Sequence, residues 1–178
     1  MPLLISDANV LIDLEVGNLL ACAFALPYEL STPDILYADE LAEYHPNLPQ
    51  LGLQLRELDG DGIDMAADFR RRHRGVSLYD CLALALAVKL DCLLLTGDRK
   101  LRWAASQQGV DVAGTLWLVE EKIRSATGVA GGAREAFNRM RNHWRRLAWR
   151  DVDSLISRHK EDLTAELELA RGFEPPTG

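Results

Sequence analysis

Cysteine is scarce: the 178 residues hold three, Cys22, Cys81 and Cys92, each inside an apolar stretch and at no metal-ligand spacing. An odd number so placed argues against a disulfide framework or a thiolate metal site, and points to a reducing cytoplasm. Long apolar runs are missing too. The longest, LLACAFAL at 19–26 and CLALALAV at 81–88, are too short to span a bilayer, and no basic segment precedes the apolar residues of MPLLISDANVLIDL, so nothing marks the chain for export or a membrane. His45, His73, His143 and His159 share no spacing that would make them ligands. A P-loop lysine motif, a dinucleotide glycine fingerprint and a G-x-S-x-G elbow are absent. Basic residues are nearly missing from the first part of the chain. Residues 1–69 carry 13 acids and one base, Arg56, a balance of −12, whereas 70–178 carry 14 acids and 19 bases, a balance of +5. The net charge of −7 is therefore no argument against an anionic partner, because contacts to one can be local.

What is present is the composition of a soluble globule, 48% hydrophobic and 26% charged, at a length suited to one domain with an appendage. Residues 3–6 read as a strand feeding a helix that runs to the Gly-Asn break at 17–18. A second helix over 19–25 stops at Pro27, and 28–30 is short enough for a strand. Thr32 as N-cap, with Pro33 at the first helical position, opens a helix over 34–44. Residues 51–58 alternate, Leu51, Leu53 and Leu55 against Gly52, Gln54 and Arg56, as a half-buried edge strand does. A helix over 61–74 ends at Gly75, and Ser77 opens another that is apolar nearly all round through Leu90 and so belongs in the core. Residues 92–96 suit a buried parallel strand, 98–108 a helix closed by Gly109, 110–112 a strand and 115–124 a helix. This alternation predicts an α/β fold, a three-layer α/β/α sandwich with a mostly parallel central sheet. Residues 125–133, SATGVAGGA, read as a Gly-rich linker. Beyond it, Ala133, Ala136, Phe137, Met140, Trp144, Leu147 and Ala148 fall at helical spacing. A second stripe, Val152, Leu155, Ile156, His159, Leu163, Leu167 and Ala170, follows a cap at Asp151 or Asp153, giving a C-terminal helical hairpin.

Ligands of open α/β sheets bind outside the carboxyl ends of the strands. The two clearest strands each run into an aspartate there, Asp7 in LLISDANVLI and Asp98 in LLLTGDRKLR. Asp80 opens the buried helix that leads into the second strand, which brings it to the same edge. Each has a duller role available: Asp7 and Asp98 as helix N-caps, Asp80 as the acid of a capping box with Ser77. Asp13 and Asp34 read as surface or capping residues. Three carboxylates at one edge repel unless one is protonated or a cation sits among them.

The segments ISDANVLIDLEVG and VSLYDCLALALAVKLDCLLLTGDRKLR, with a glutamate-bearing helix after Ser-Thr-Pro between them, resemble the PIN domain, in particular the VapC-type toxins of toxin-antitoxin pairs. The resemblance covers roughly residues 3–125. Its most specific part is the D-x-x-x-A-L-A…LLTGD-x-x-L arrangement at 80–101. It implies a metal-dependent endoribonuclease acting on single-stranded or structured RNA, a magnesium or manganese cofactor, a homodimer and an antitoxin partner. It matches Asp7, Glu40, Asp80 and Asp98 to the catalytic, metal-binding acids, and Asn9 and Thr96 to supporting polar positions. On a helical wheel Asp39, Glu40 and Glu43 share a face opposite Ile35, Ala38, Leu41 and Ala42, which by itself says solvent. The family pattern of glutamate directly before leucine selects Glu40, with Glu43 the alternative. An all-oxygen donor set without thiolate or imidazole suits a hard cation.

This divides the chain into a nuclease domain, 1–125, and a helical extension, 126–178. Arg70, Arg71, Arg72, Arg74 and Arg99 are candidate RNA contacts, although cations at a helix C-terminus also complement its dipole. The arginines at 134–150, interleaved with Trp144 and Trp149, could grip RNA or an acidic segment, or form a solvated face. Two other classes fit less of the pattern. A phosphoaspartate phosphatase wants an aspartate where Asn9 stands, and a receiver wants paired acids and a late lysine. A PIN-fold binding module without turnover remains the alternative.

Overall fold

A computed structural model describes residues 1–125 and 130–158. Its centre is a five-stranded, all-parallel sheet of β1 (Leu3–Ser6), β2 (Glu29–Pro33), β3 (Gln54–Arg56), β4 (Leu93–Leu95) and β5 (Val112–Ala113), in the order β3-β2-β1-β4-β5. Ten α-helices are described around it: α1 (Ala8–Val16), α2 (Leu20–Phe24), α3 (Asp34–Leu36), α4 (Leu48–Leu51), α5 (Gly60–Arg72), α6 (Leu78–Leu90), α7 (Arg99–Gln107), α8 (Thr115–Ser125), α9 (Ala130–Asn142) and α10 (Trp149–Arg158). Crossovers between parallel strands are right-handed. The chain moves one way from β1 to β3, then doubles back to β4 and β5, so the connecting helices fall on opposite faces. Helix α6 packs on β1, β2 and β4 with α5 and α7 beside it, while α1 meets α2, α8 and α9. This is the α/β layering read from the sequence.

Helix α6 shows why. Seven consecutive residues, Cys81 to Ala87, are buried, so the helix must be covered all round rather than on one stripe. Burial of Leu82, Leu84 and Leu86 contributes about 1.5–3 kcal/mol each. Ser77 caps it, its Oγ accepting from the Asp80 amide at 3.0 Å.

Several local expectations are corrected. Thr32 does not cap a helix: β2 continues to Pro33, and the buried Thr32 hydroxyl donates to the Ser6 carbonyl of β1 at 3.0 Å. The helix expected over 34–44 is one turn of α3 followed by a π-helical turn, Tyr37–Leu41, closed by the Ala42 amide donating to the Tyr37 carbonyl at 2.8 Å. The strand expected over 51–58 is cut short. Pro49 sits in the first turn of α4 and Gly52 takes φ 130°, a conformation that suits glycine. Only Leu53 of the three leucines is buried; Leu51 and Leu55 are exposed. Strand β3 is nevertheless at the sheet's edge.

The Gly-rich stretch is shorter than its composition suggests, since α9 starts at Ala130 and Ala133 is buried. Residues 126–129 lie outside the described residues, as do His159, Leu163, Leu167 and Ala170 of the second stripe. Ala133, Ala136, Phe137, Met140, Val152 and Leu155 join the same apolar cluster as β1 and α1. Trp144 leaves the expected stripe. It follows the end of α9 with φ 56° and is 91% exposed. The Arg145 amide donates to the Met140 carbonyl and the Trp144 amide to that of Arg141, which is the Schellman pattern with tryptophan at the position glycine usually takes. A left-handed backbone at a residue with a Cβ costs about 1–2 kcal/mol.

Candidate metal centre

The strand order reverses between β1 and β4, and the crevice at the carboxyl ends of those two strands is where such sheets take ligands. Asp7 follows β1 and its amide extends the ladder, donating to the Leu95 carbonyl of β4 at 3.0 Å. It has the extended backbone of an N-cap, and its Oδ1 accepts from the Val10 amide at 2.9 Å. The capping role and the acidic role therefore coexist on one side chain, because the second oxygen is left over. Oδ2 is buried and has no donor in hydrogen-bonding geometry. A carboxylate oxygen so placed is costly unless protonated or paired with a cation. Burial pushes the Asp7 carboxyl up to about 7. The nearby Thr96 hydroxyl and the Val10 amide oppose the rise, and the charges of Asp80 and Asp13 add to it.

Asp80 is the hub of the other acids. Burial raises its carboxyl, Ser77 lowers it, and the charge of Asp98 raises it further. Asp80 in turn raises both Asp7 and Glu40. Glu40, in the π turn after β2, is raised first by burial, then by Asp80 and Asp39. Glu40 and Glu43 are both exposed, but the charge of Glu43 is not among those acting on Asp7, Asp80 or Glu40. The wheel put Glu40 on a solvent face, and Glu40 is exposed; it lies in a π turn, a feature frequent at functional sites. Asp98 caps α7, its Oδ1 accepting from the Lys100 and Leu101 amides at 2.8 and 2.9 Å.

Thr96 is buried between Asp7 and Asp98, its Oγ1 accepting from the Asp98 amide at 3.0 Å. Asn9 is exposed and accepts from Arg145 Nη2 through its carbonyl at 3.2 Å and its side-chain oxygen at 3.3 Å. Asp13, read from the sequence as a surface or capping residue, is 5% exposed. It pairs with Arg145 and accepts from the Thr115 hydroxyl at 2.9 Å. Its one sequence signal is an acid on the apolar stripe of α1, among Val10, Leu11 and Leu14. Arg145 had no such signal, since its partner lies 132 residues away. Of the other candidate cations, Arg71 and Arg72 pair with Asp68, and Arg70 donates to the Arg74 carbonyl at 2.9 Å. Arg99 lines a cleft beside Thr96.

Among the described residues no group of three His, Cys, Asp or Glu side chains is gathered closely enough to hold a metal ion by itself. The donor set still fits a hard divalent cation. Magnesium commonly takes only one or two carboxylates and fills its shell with water and substrate phosphate. Here a buried, unpartnered carboxylate oxygen faces an edge whose acids already repel one another.

A family model described as a PIN domain matches residues 3–161, so the chain belongs to the PIN-domain family. The match runs past the linker and takes in the described part of the C-terminal hairpin. PIN domains are typically nucleases and generally use divalent metal ions. None of the curated proteins compared matches the chain. No helix among the described residues is long and apolar enough to cross a membrane.

Proposed function

We propose that this protein is a metal-dependent endoribonuclease that hydrolyses phosphodiester bonds of single-stranded RNA, with Asp7, Glu40, Asp80 and Asp98 as its acids. One observation carries the reading: the buried Oδ2 of Asp7 has no donor, at the sheet's switch point, in an edge where Asp80 couples Asp7 to Glu40 and feels Asp98. Asp7 and Asp80 are the residues that would hold magnesium or manganese, with Glu40 and Asp98 completing the site directly or through water. When bound, the ion supplies charge stabilisation to the phosphoryl oxygens and a water acidic enough to attack at neutral pH. The chain's own part is to hold that site ready. Burial would leave the Asp7 carboxyl partly protonated near pH 7, and a bound cation would take the place of that proton. Thr96 fixes the turn that presents Asp98, and Ser77 orients Asp80 through the α6 cap. No serine, histidine or cysteine nucleophile is needed.

The test is cleavage of a single-stranded RNA by the purified full-length chain with manganese. Chelator should abolish cleavage and excess manganese restore it; cleavage indifferent to chelator would sink the proposal. The loose gathering of the acids favours a second reading, a PIN-fold binding module, and RNA binding without cleavage in the same assay would select it. A toxin role in the cytoplasm, an antitoxin partner and a homodimer are supported by the family resemblance and belong to this proposal.

A further inference from the structure

The turn between α9 and α10 stands over the acidic edge. Trp144, Arg145 and Arg146 line a cleft of about 270 Å³ together with Asn9, Gly97 and Asp98. Arg146 also lines a second cleft, of about 560 Å³, beside Thr96 and Arg99. The turn is held there by Arg145, whose guanidinium pairs with the buried Asp13 and donates to Asn9. Arg145 is therefore occupied, and so is Arg102, which donates to the Thr96 and Ala113 carbonyls. Arg146 is not: among the described residues it has no hydrogen bond or ion pair.

Trp144 is the unexplained member. A helix C-terminus that needs a left-handed residue is best served by glycine, yet here the position holds the largest side chain, 91% exposed. The indole adds nothing to the core and is displayed at a conformational cost. It is also the one apolar side chain in an otherwise polar cleft. A flat π-face next to an unpaired guanidinium matches the two repeating features of an unpaired nucleotide, a base that stacks and a phosphate that carries charge. It does not match an apolar protein segment, which would need a larger greasy surface.

We infer that Trp144 and Arg146 form a nucleotide subsite beside the acid edge, the indole stacking on a base that flanks the scissile bond and the guanidinium holding the adjoining phosphate. The inference rests on the reading of this edge as one that acts on single-stranded RNA. It extends that reading by assigning substrate positioning to the C-terminal hairpin.

The experiment uses the full-length protein and a single-stranded RNA oligonucleotide in excess chelator, which withholds the ion that cleavage needs, followed by tryptophan fluorescence and by titration. Trp144→Gly suits the left-handed backbone, so it should leave thermal stability unchanged or raised while weakening binding about 10-fold, the size of one lost base stack. Trp144→Phe should retain most of the affinity. Arg146→Gln should lower the slope of log affinity against log salt by about 0.7, the share of one phosphate on a single strand. In cleavage assays both Trp144→Gly and Arg146→Gln should raise KM more than they lower kcat. Affinity within twofold of wild type for Trp144→Gly, no binding by the wild-type chain, or equally tight binding of a polyglutamate peptide would overturn the subsite. Wild-type binding that depends on Trp144 without cleavage would leave the subsite standing and remove the nuclease reading. Cleavage with an unaltered KM in Trp144→Gly would do the reverse.

Discussion

The acidic edge of the sheet and the basic turn of the C-terminal hairpin meet across one cleft, yet they are held in place by different means. Asp7 and Asp98 sit where strands end and helices begin, and Asp80 in the first turn of α6, so local hydrogen bonds position them: the Val10 amide for Asp7, Ser77 for Asp80, the Lys100 and Leu101 amides for Asp98. Local hydrogen bonds of the Trp144 and Arg145 amides shape the turn, but what sets it against the acidic edge is Arg145 reaching Asp13 and Asn9 on α1. The acids are thus placed by secondary structure, and the basic turn is docked by one long-range ion pair. A site can be half robust and half contingent, and substitutions should separate the halves.

The largest effect should come from the hub of the acidic half. Asp80→Asn is expected to lower manganese-dependent cleavage by about 10³-fold, in line with several kcal/mol of lost charge stabilisation. Thermal stability without metal should not fall, because a repelling charge has been removed. Unchanged cleavage would end the assignment.

Protonation of Asp7 gives the next largest effect. Its carboxyl stands at about 7 in the fold against an ordinary 3.8, so between those values the folded state holds a proton that the unfolded state releases. The stability this contributes is fully present below about pH 4 and is lost as pH rises through 7, on the order of 4 kcal/mol in all. Urea unfolding in chelator from pH 4.5 to 8 should show that decline in the wild type and little of it in Asp7→Asn. Manganese affinity should rise over the same window, since cation and proton compete for one carboxylate.

On the basic side, Arg145→Ala leaves Asp13 buried with the Thr115 hydroxyl alone. The expected loss is about 3 kcal/mol in urea unfolding, together with weaker oligonucleotide binding as the turn loses its anchor. A loss in stability with binding intact would show that the turn is positioned by its Schellman cap alone. The smallest contrast lies within the acidic half. Glu40→Gln should raise the manganese concentration for half-maximal activity about 10-fold, whereas Glu43→Gln, whose charge does not act on Asp80, should shift it less than twofold. The reverse order would transfer the second acid to Glu43.

Much of the acidic half was legible without the structure. Strand-end aspartates in LLISDANVLI and LLLTGDRKLR, and Ser77-x-x-Asp80 ahead of an apolar helix, are local patterns whose geometry follows from capping and from parallel β-α alternation. Glu40 was harder, because it is exposed as the wheel had it, and only the charge of Asp80 acting on it sets it apart from Glu43. Leu51 and Leu55 misled for another reason: alternation said half-buried strand, but Pro49 and Gly52 wind the start of that segment into α4 and a turn. Asp13 was passed over because a lone acid in an apolar helix looks like a cap or a surface residue until its partner is known.

The sequence by itself determined the family, the parallel α/β layering and the acids that cap helices at the carboxyl edge, since each depends on neighbours within a few residues or on hydrophobic periodicity. Only the tertiary structure decided that Asp7 keeps one oxygen without a donor, that Asp80 is the acid through which the others interact, and that a basic turn from far along the chain closes over them. Burial and Coulomb interaction depend on distance in space, and a linear pattern carries no record of which distant segments come within a few ångströms.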